Sequence, residues 1–491
     1  MKSAKRIAAL LLCAALIFST GISAASYDGA RREAVSASDE AGLVEALTQS
    51  GEKAKPAKAK KPGTLTECGG ACEHSPTVVI HGIGQSKTYL YEDDEIAVDE
   101  DGKMITGWPI YANTKYIVKN LLLPLVKMLV TQRDDGFVES FRKTLEGTLY
   151  VNAFDSNGKN IYDVRVKKYP YSVAKCSDEE KSEIYGNVPL ETLTKTAGED
   201  HLYYFAYNSF GNNGEITDEL YDFIAKVKRE TGHDKINIAA ISLGGTIANS
   251  LFDRYPDLYA SLDRVVYIVP ALDGSNIVGD IYIGKLSTSD EMLYKKLLPK
   301  LVGGAEGYLL NAVIRLIPKQ ILLDTLDATV DGLTNVILRN CTTMWSLVPE
   351  AYYDEAVARV LPGKENAEMR RQVEIYHRAQ VNRFKNIEKM REAGVEVFDI
   401  VDYDYQLYCL VPSYDKSNAD GIIHAESTSM GAKFANIGET LGEDYVQPAA
   451  RTRRTIIFRP TALLTRRWVC FPTTPSISRG RITKRPAPTM S

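Results

Sequence analysis

Residues Asn237–Ser250 read "NIAAISLGGTIANS", and this stretch decides the fold that we expect. An apolar run leads to Ser242, two glycines follow, and the pattern after them is typical of a helix. A strand that turns sharply into a helix lifts a serine at the turn clear of the sheet. Strand and helix pass close together there, so small residues must flank the serine, and Ala240 and Gly244 meet this need. We therefore interpret Ser242 as a catalytic nucleophile; the alternative is a serine that merely ends a core strand.

Strand and helix patterns alternate around this turn. Buried strands are predicted in residues 76–86, 201–209, 235–241, 262–272 and 395–403. Helical spacing is found in residues 114–133 and 216–232, and the segment from about 280 to 391 is almost entirely helical in pattern. These features predict an α/β fold with a mostly parallel sheet, helices on both faces and a large helical cap insertion.

A loop after the first strand is a candidate partner of the serine. A serine hydroxyl becomes a useful nucleophile when a base takes its proton and amide donors stabilise the oxyanion. The loop "HGIG" (His81–Gly84) would supply Ile83 N–H, and Leu243 N–H beside the serine would complete an oxyanion hole. His81 is expected to shape this loop through hydrogen bonds, and a role as the base is the alternative.

Four motifs together resemble a known family. The segments "HGIGQS", "AISLGG", "IVPALDGS" (residues 268–275) and "MWSLVPEAYY" (residues 344–353) are similar to those of α/β-hydrolases, in the secreted lipase group and the lecithin:cholesterol acyltransferase branch. The likeness covers residues 76–447. It implies an α/β-hydrolase fold, a Ser–acid–His triad in that chain order, and cleavage or transfer of acyl esters without a redox cofactor.

The resemblance also points to an acid. "NADGII" (residues 418–423) resembles the Asp-Gly segment of the family, so Asp420 is the predicted triad acid. The alternative is that Asp420 only caps a turn before a Ser/Thr-rich helix. Asp402 and Asp404, at the end of a predicted strand, are the reserve candidates.

The base is harder to find. In such lipases the histidine follows the acid in the loop beyond the final strand, but of the six histidines only His424 follows Asp420, four residues on. His424 is therefore the candidate base, although this spacing favours a position on the wrong element. His377, in a cap helix, is expected to be a surface residue.

The N-terminal residues have the composition of targeting and tether segments. Residues 1–25 have a basic start, an apolar core and small residues at Ser23–Ala25, which predicts a cleaved secretory signal; an uncleaved anchor is the alternative. Residues 26–75 are rich in Ala, Ser, Lys and Glu and predict a flexible linker. Cys68 and Cys72 within it could form a disulfide in an oxidising compartment.

The C-terminal residues 449–491 differ in composition from the rest. They hold ten Lys and Arg and no Asp, Glu or His, while the whole chain has a formal net charge of −4. They show no pattern of helix or strand. One interpretation is a translation frame that is not the native one, because codons shifted by one nucleotide can encode His-Asn-His-Ile-Ser-Pro-Asp there. In that case the chain as written lacks its catalytic histidine and its last sheet strand, and we expect it to be nearly inactive. The other interpretation is a genuine basic tail on a protein that uses His424 as the base or has lost catalysis.

Taken together, these patterns predict a secreted or cell-envelope serine ester hydrolase that acts on a lipid or small ester through Ser242. No cofactor and no metal site are expected, and transient contact with a membrane surface or lipid interface is compatible with such a substrate. The alternative is a non-catalytic binding protein of the same fold at the cell envelope. Nucleic acid is not an expected partner, since the basic tail has neither an aromatic platform nor a helix pattern.

Overall fold

The computed structural model describes the core of the chain and two short segments near its end. The described residues are 74–188, 190, 194, 197–285, 316–403, 405–407, 416–430, 432, 434–439, 456–458 and 468–470. The predicted signal segment, almost all of the predicted linker with Cys68 and Cys72, and Asp404 lie outside them.

A parallel sheet forms the centre of the fold. The strands of the described residues are β1 Thr77–Ile80, β2 Thr88–Glu92, β3 Glu95–Ile96, β4 Thr106–Trp108, β5 Val164–Val166, β6 Leu202–Phe205, β7 Ile236–Ile241, β8 Leu262–Ile268, β9 Glu396–Val401, β10 Tyr405–Gln406, β11 Asn418–Ala419, β12 Ile456–Phe458 and β13 Trp468–Cys470. The sheet order is β12-β13-β9-β8-β7-β1-β6, and the five strands from β9 to β6 are parallel. The prediction of a mainly parallel α/β sheet is therefore confirmed.

The helices of the described residues connect or flank these strands. They are α1 Thr114–Thr131, α2 Phe137–Leu149, α3 Asp178–Asn187, α4 Asn213–Thr231, α5 Gly244–Arg254, α6 Asn276–Ile283, α7 Lys319–Leu333, α8 Thr342–Trp345, α9 Tyr353–Val360, α10 Ala367–Val381, α11 Arg383–Glu392 and α12 Ala425–Thr428. None of them is long and apolar enough to cross a membrane.

Strand residues alternate between two apolar cores. Val78 and Ile80 of β1 lie in the larger core, which includes residues of α1, α2, α4 and α5. Val79 lies in the smaller core with Ile184 of α3. Because successive side chains of a strand point to opposite faces, the two cores cover the two faces of the sheet, each with helical residues.

Part of the helical segment before β9 packs beside the sheet. Within the segment of helical pattern, residues 367–392 form two helices, α10 and α11, which meet at Asn382. Both helices are tied to α5, since Asp253 accepts hydrogen bonds from Arg378, Asn382 and Asn386. These two helices therefore belong to the layer beside the sheet.

Two further findings concern strands that the sequence did not predict. An antiparallel sheet of β2, β3, β4 and β5 is inserted after β1, and β2 pairs with the other three.

The C-terminal tail contributes β12 and β13, and β13 pairs antiparallel with β9 at the edge of the central sheet. These six residues form strands although the tail shows no strand pattern in its sequence, because pairing to an open sheet edge needs backbone groups and no side-chain pattern.

Candidate active site

Ser242 lies at a strained turn between β7 and α5. Its φ is +50°, in the left-handed region that non-glycine residues seldom adopt. Backbone hydrogen bonds hold the turn: Ser242 N–H donates to the Ile268 carbonyl at 3.0 Å, and Ala271 N–H donates to the Ser242 carbonyl at 3.0 Å. Such strain persists only where neighbouring structure enforces it, and it is typical of functional sites. The side chain is half-buried.

The glycines after the serine allow the helix to approach the sheet. A Cβ on Gly244 would lie 2.7 Å from the His81 carbonyl oxygen, and a Cβ on Gly245 would lie 2.7 Å from Pro270 Cβ. Ala240, two residues before Ser242, is fully buried. The close packing explains why only small residues suit these positions.

The loop His81–Gly84 lies directly against the serine. A Cβ on Gly82 would be 3.1 Å from Ser242 Cβ. Gly82 N–H donates to Gln85 Oε1 at 2.6 Å, and Gly84 N–H donates to Ser209 Oγ at 2.9 Å. Within the described residues, Ile83 N–H, between these two amides, makes no hydrogen bond.

Leu243, the residue after the serine, supplies a second uncommitted amide. Its N–H precedes the first turn of α5 and makes no hydrogen bond to any described residue. The amides at the start of a helix lack intrahelical partners and favour a negative charge. Two backbone donors without a hydrogen bond to a described residue therefore lie close to Ser242 in the structure: Leu243 N–H in the next residue, and Ile83 N–H in the loop whose Gly82 packs against the serine.

His81 is fully engaged in the loop. Its ring is buried and stacks on Tyr207, with centroids 4.1 Å apart. His81 Nε2 lies 2.7 Å from Ser86 Oγ and 3.3 Å from Tyr207 N–H, and these two donors assign the proton of the ring to Nδ1, beside the Gly82 carbonyl. Burial lowers the pKa of His81 to about 4. With both ring nitrogens occupied, His81 shapes the loop and has no nitrogen free to serve as a base.

Asp420 hydrogen bonds within its own turn. Its Oδ1 accepts from Ile422 N–H and from Ile423 N–H, each at 2.7 Å. Burial raises the pKa of the Asp420 carboxyl to about 6, while these two backbone donors act in the opposite direction. Among the described residues, these contacts correspond to the turn-capping alternative, and no hydrogen bond joins Asp420 to His424.

His424 lies on a segment that packs near the serine turn. Ser427, three residues later, donates to the Gly274 carbonyl at 2.8 Å and accepts from Asp273 N–H at 3.0 Å. Asn276 Nδ2 is 3.3 Å from His424 Nε2. Gly274 and Asp273 belong to the loop after β8, and the N–H of Ala271 in the same loop donates to the Ser242 carbonyl. His424 therefore lies at the same carboxyl edge of the sheet as Ser242. Burial lowers the pKa of His424 to about 4.

Three of the remaining described histidines lie at the other edge of the sheet. His201 precedes β6 and forms an edge-to-face pair with His233, which precedes β7, so both are at the amino edge of the sheet. His74 precedes β1 at that same edge. His377 stacks on Tyr353 with ring centroids 3.6 Å apart and is partly exposed, and it is close enough to Asp273, in the loop after β8, to act on the pKa of that carboxyl.

Of the reserve acids, only Asp402 is described. It follows β9 and is buried, and its Oδ1 accepts from Tyr403 N–H at 3.0 Å.

The sequence did not reveal several residues that build the site. Trp108 Nε1–H donates to the Gly84 carbonyl at 2.6 Å, and its ring packs against Phe210. Gln85, Ser209 and Asn276 also contact site residues through their side chains, as described above. Apart from Gln85, these contacts join distant parts of the chain, and no local pattern signals them.

Comparison with protein-family models and with curated proteins finds no match to this sequence. Among the described residues, no group of three or more His, Cys, Asp or Glu side chains is arranged to hold a metal ion.

Proposed function

We propose that the protein is a serine ester hydrolase of the α/β-hydrolase type, similar to lipases and acyltransferases, in which Ser242 forms an acyl-enzyme. The observation that carries the proposal is the strained turn at Ser242, next to the uncommitted N–H of Leu243 and against the loop that contains the uncommitted N–H of Ile83. A nucleophile and two amide donors beside each other suit attack on a carbonyl and stabilisation of the oxyanion that forms.

The chemistry assigned to each residue follows from this arrangement. Ser242 Oγ attacks the ester carbonyl carbon, and the negative charge on the carbonyl oxygen is stabilised by Ile83 N–H and Leu243 N–H. The tetrahedral intermediate then expels the alcohol, and water hydrolyses the acyl-enzyme in a second step. The expected substrate is a lipid or a small ester.

We assign the base role to His424. Support comes from its place at the same sheet edge as Ser242, from the engagement of both ring nitrogens of His81, and from the position of His201 and His233 at the opposite edge. The imidazole of His424 is neutral at every pH well above its lowered pKa of about 4, and the same low pKa makes it a weaker base than an exposed histidine. Asp420 is the proposed acid.

A non-catalytic binding protein of the same fold is the second candidate. One observation favours it: Asp420 forms hydrogen bonds with its own turn, and among the described residues neither it nor His424 forms one with Ser242. Such a protein would bind an ester or lipid at the site and not cleave it.

Hydrolysis of p-nitrophenyl esters of increasing chain length by the full chain separates the two candidates. We expect turnover that is lost in Ser242→Ala and in His424→Ala and is retained in Ser156→Ala, an exposed loop serine that serves as the control. Turnover that survives Ser242→Ala would contradict the proposal. Ester binding without turnover in the full chain would favour the binding protein.

A further inference from the structure

Hydrogen bonds to side chains hold the two residues on either side of Ile83, Gly82 and Gly84. Gln85 Oε1 accepts from Gly82 N–H, and Ser209 Oγ accepts from Gly84 N–H. Gly84 has a φ of +71°, and the Trp108 ring packs so closely that a Cβ on Gly84 would lie 2.7 Å from it. The direction of the intervening Ile83 N–H is therefore set by the positions of Gly82 and Gly84.

Ser209 is in turn held by a residue of the helical segment between β8 and β9. Thr343 Oγ1 donates to the Ser209 carbonyl at 2.7 Å. The same hydroxyl accepts from Gly211 N–H at 3.3 Å, and Thr343 N–H donates to the Gly211 carbonyl at 3.4 Å. Thr343, a buried residue of α8, thus forms hydrogen bonds with the residues before and after Phe210 in the loop after β6.

We propose that Thr343 is a positioning residue for ester hydrolysis, acting through Ser209 and Gly84 on the Ile83 amide of the oxyanion hole. This inference rests on the proposed function. It connects the helical segment to the catalytic loop through Ser209 and Gly84, without contact between Thr343 and the substrate carbonyl. The chain of contacts runs from the Thr343 hydroxyl to the Ser209 carbonyl, and from the Ser209 hydroxyl to Gly84 N–H.

The hydroxyl of Thr343 can be removed with little change in shape. Thr343→Val leaves the Ser209 carbonyl and Gly211 N–H without their partner, whereas Thr343→Ser keeps the hydroxyl and serves as the rescue variant. Thr329→Val is the matched control, because Thr329 is also buried but its hydroxyl donates to the Thr325 carbonyl of its own helix. If Thr343→Val does not fold, Thr343→Ala is the second variant.

Two readouts test the proposal on the full chain. For hydrolysis of p-nitrophenyl butyrate we expect kcat to fall by about tenfold in Thr343→Val with KM little changed, because a misplaced donor weakens the transition state more than substrate binding. Amide hydrogen exchange of Gly84 should become faster in the same variant. Thr343→Ser and Thr329→Val should resemble the parent chain in both readouts.

A double-mutant cycle with Ser209→Ala adds a direct test of the connection. If Thr343 acts through Ser209, the loss in the double variant is smaller than the product of the two single losses, because both remove the same support. Independent, multiplicative losses would contradict it.

The outcomes separate this inference from the proposed function. Unchanged kcat and unchanged Gly84 exchange in Thr343→Val would overturn the inference while hydrolysis by the parent chain stands. Equal losses in Thr343→Val and Thr329→Val would overturn it as well, since they would reflect general destabilisation. A parent chain that does not hydrolyse esters would refute the proposed function. The connection from Thr343 to Gly84 would still be tested in that case, because unchanged amide exchange of Gly84 in Thr343→Val would refute it.

Discussion

Gly82 and Ser242 are in contact across the active-site turn, and a Cβ placed on Gly82 would lie 3.1 Å from Ser242 Cβ and 3.1 Å from Gln85 Oε1. The loop that offers the Ile83 amide therefore cannot move closer to the serine or accommodate a larger residue without displacement. This contact ties Ser242, the proposed nucleophile, to the proposed oxyanion hole and leads to the first prediction.

Gly82→Ala should reduce ester hydrolysis without unfolding the protein. The added methyl group must push the loop away from Ser242 by a few tenths of an ångström, which misplaces the Ile83 donor. We expect kcat/KM to fall by about tenfold or more. Gly186→Ala is the control, because no atom lies within 4 Å of a Cβ at that helical position. Equal activity of the two variants in a steady-state ester assay would argue against Ile83 as a donor.

Gly244→Ala should act mainly on stability. Its Cβ would clash with the carbonyl oxygens of Ile80 and His81, and backbone atoms of a central strand cannot move aside as a side chain can. We expect the free energy of unfolding to fall by about 2 kcal/mol or more. Urea denaturation followed by circular dichroism measures this change. A midpoint equal to that of the parent chain would show that α5 does not pack on β1 as described.

His81 should make stability depend on pH. Burial lowers the pKa of His81 in the folded protein to about 4, below its ordinary value of 6.5. Between these two pH values the unfolded chain therefore binds a proton at His81 and the folded chain does not. The stability that comes from the neutral ring is present above about pH 6.5 and is lost as the pH falls toward 4, by up to about 3 kcal/mol.

His81→Gln is the variant that isolates this effect. It should be less stable than the parent at pH 7.5, because the hydrogen bonds and ring stacking are lost, yet its stability should decline less steeply between pH 6.5 and pH 4. His377→Gln is a comparison at a half-buried histidine outside the loop. Parallel pH curves for His81→Gln and the parent chain would contradict a buried neutral His81.

Asp420→Asn separates the two roles considered for Asp420. An asparagine Oδ1 can still accept from Ile422 N–H and Ile423 N–H, so the turn and the stability should be retained. If the carboxylate acts as the triad acid, kcat falls by roughly 10⁴-fold. The parent chain should then gain activity as the pH rises through about 6, where this carboxyl loses its proton. Full activity of Asp420→Asn would restrict Asp420 to capping the turn.

The turn at Ser242 and the parallel sheet could be predicted because both are encoded by local patterns. Adjacent residues set the strand, the tight turn and the helix from Ile236 to Arg254, and buried strands read as continuous apolar runs. The loop that contains Ile83 could also be predicted from the sequence, since a glycine precedes and a glycine follows Ile83.

What could not be predicted depends on contacts between distant residues. Ser209 and Thr343 meet across 134 residues, and the position of His424 depends on the loop that follows β8. The break between α10 and α11 at Asn382 was also hidden, because the helical pattern continues across it while the Asn382 side chain donates to Asp253. The capping role of Asp420 in its turn was foreseen only as an alternative, because a carboxylate before a glycine suits both uses.

The most direct test of the central claim is to identify the residue that a fluorophosphonate modifies. The full chain is treated with the reagent, digested, and analysed by mass spectrometry, beside Ser242→Ala and the Ser156→Ala control. We predict one adduct on the peptide that contains Ser242, present in the parent chain and in Ser156→Ala and absent from Ser242→Ala. An unmodified Ser242, or an adduct on another serine that persists in Ser242→Ala, would contradict the assignment of Ser242 as the nucleophile.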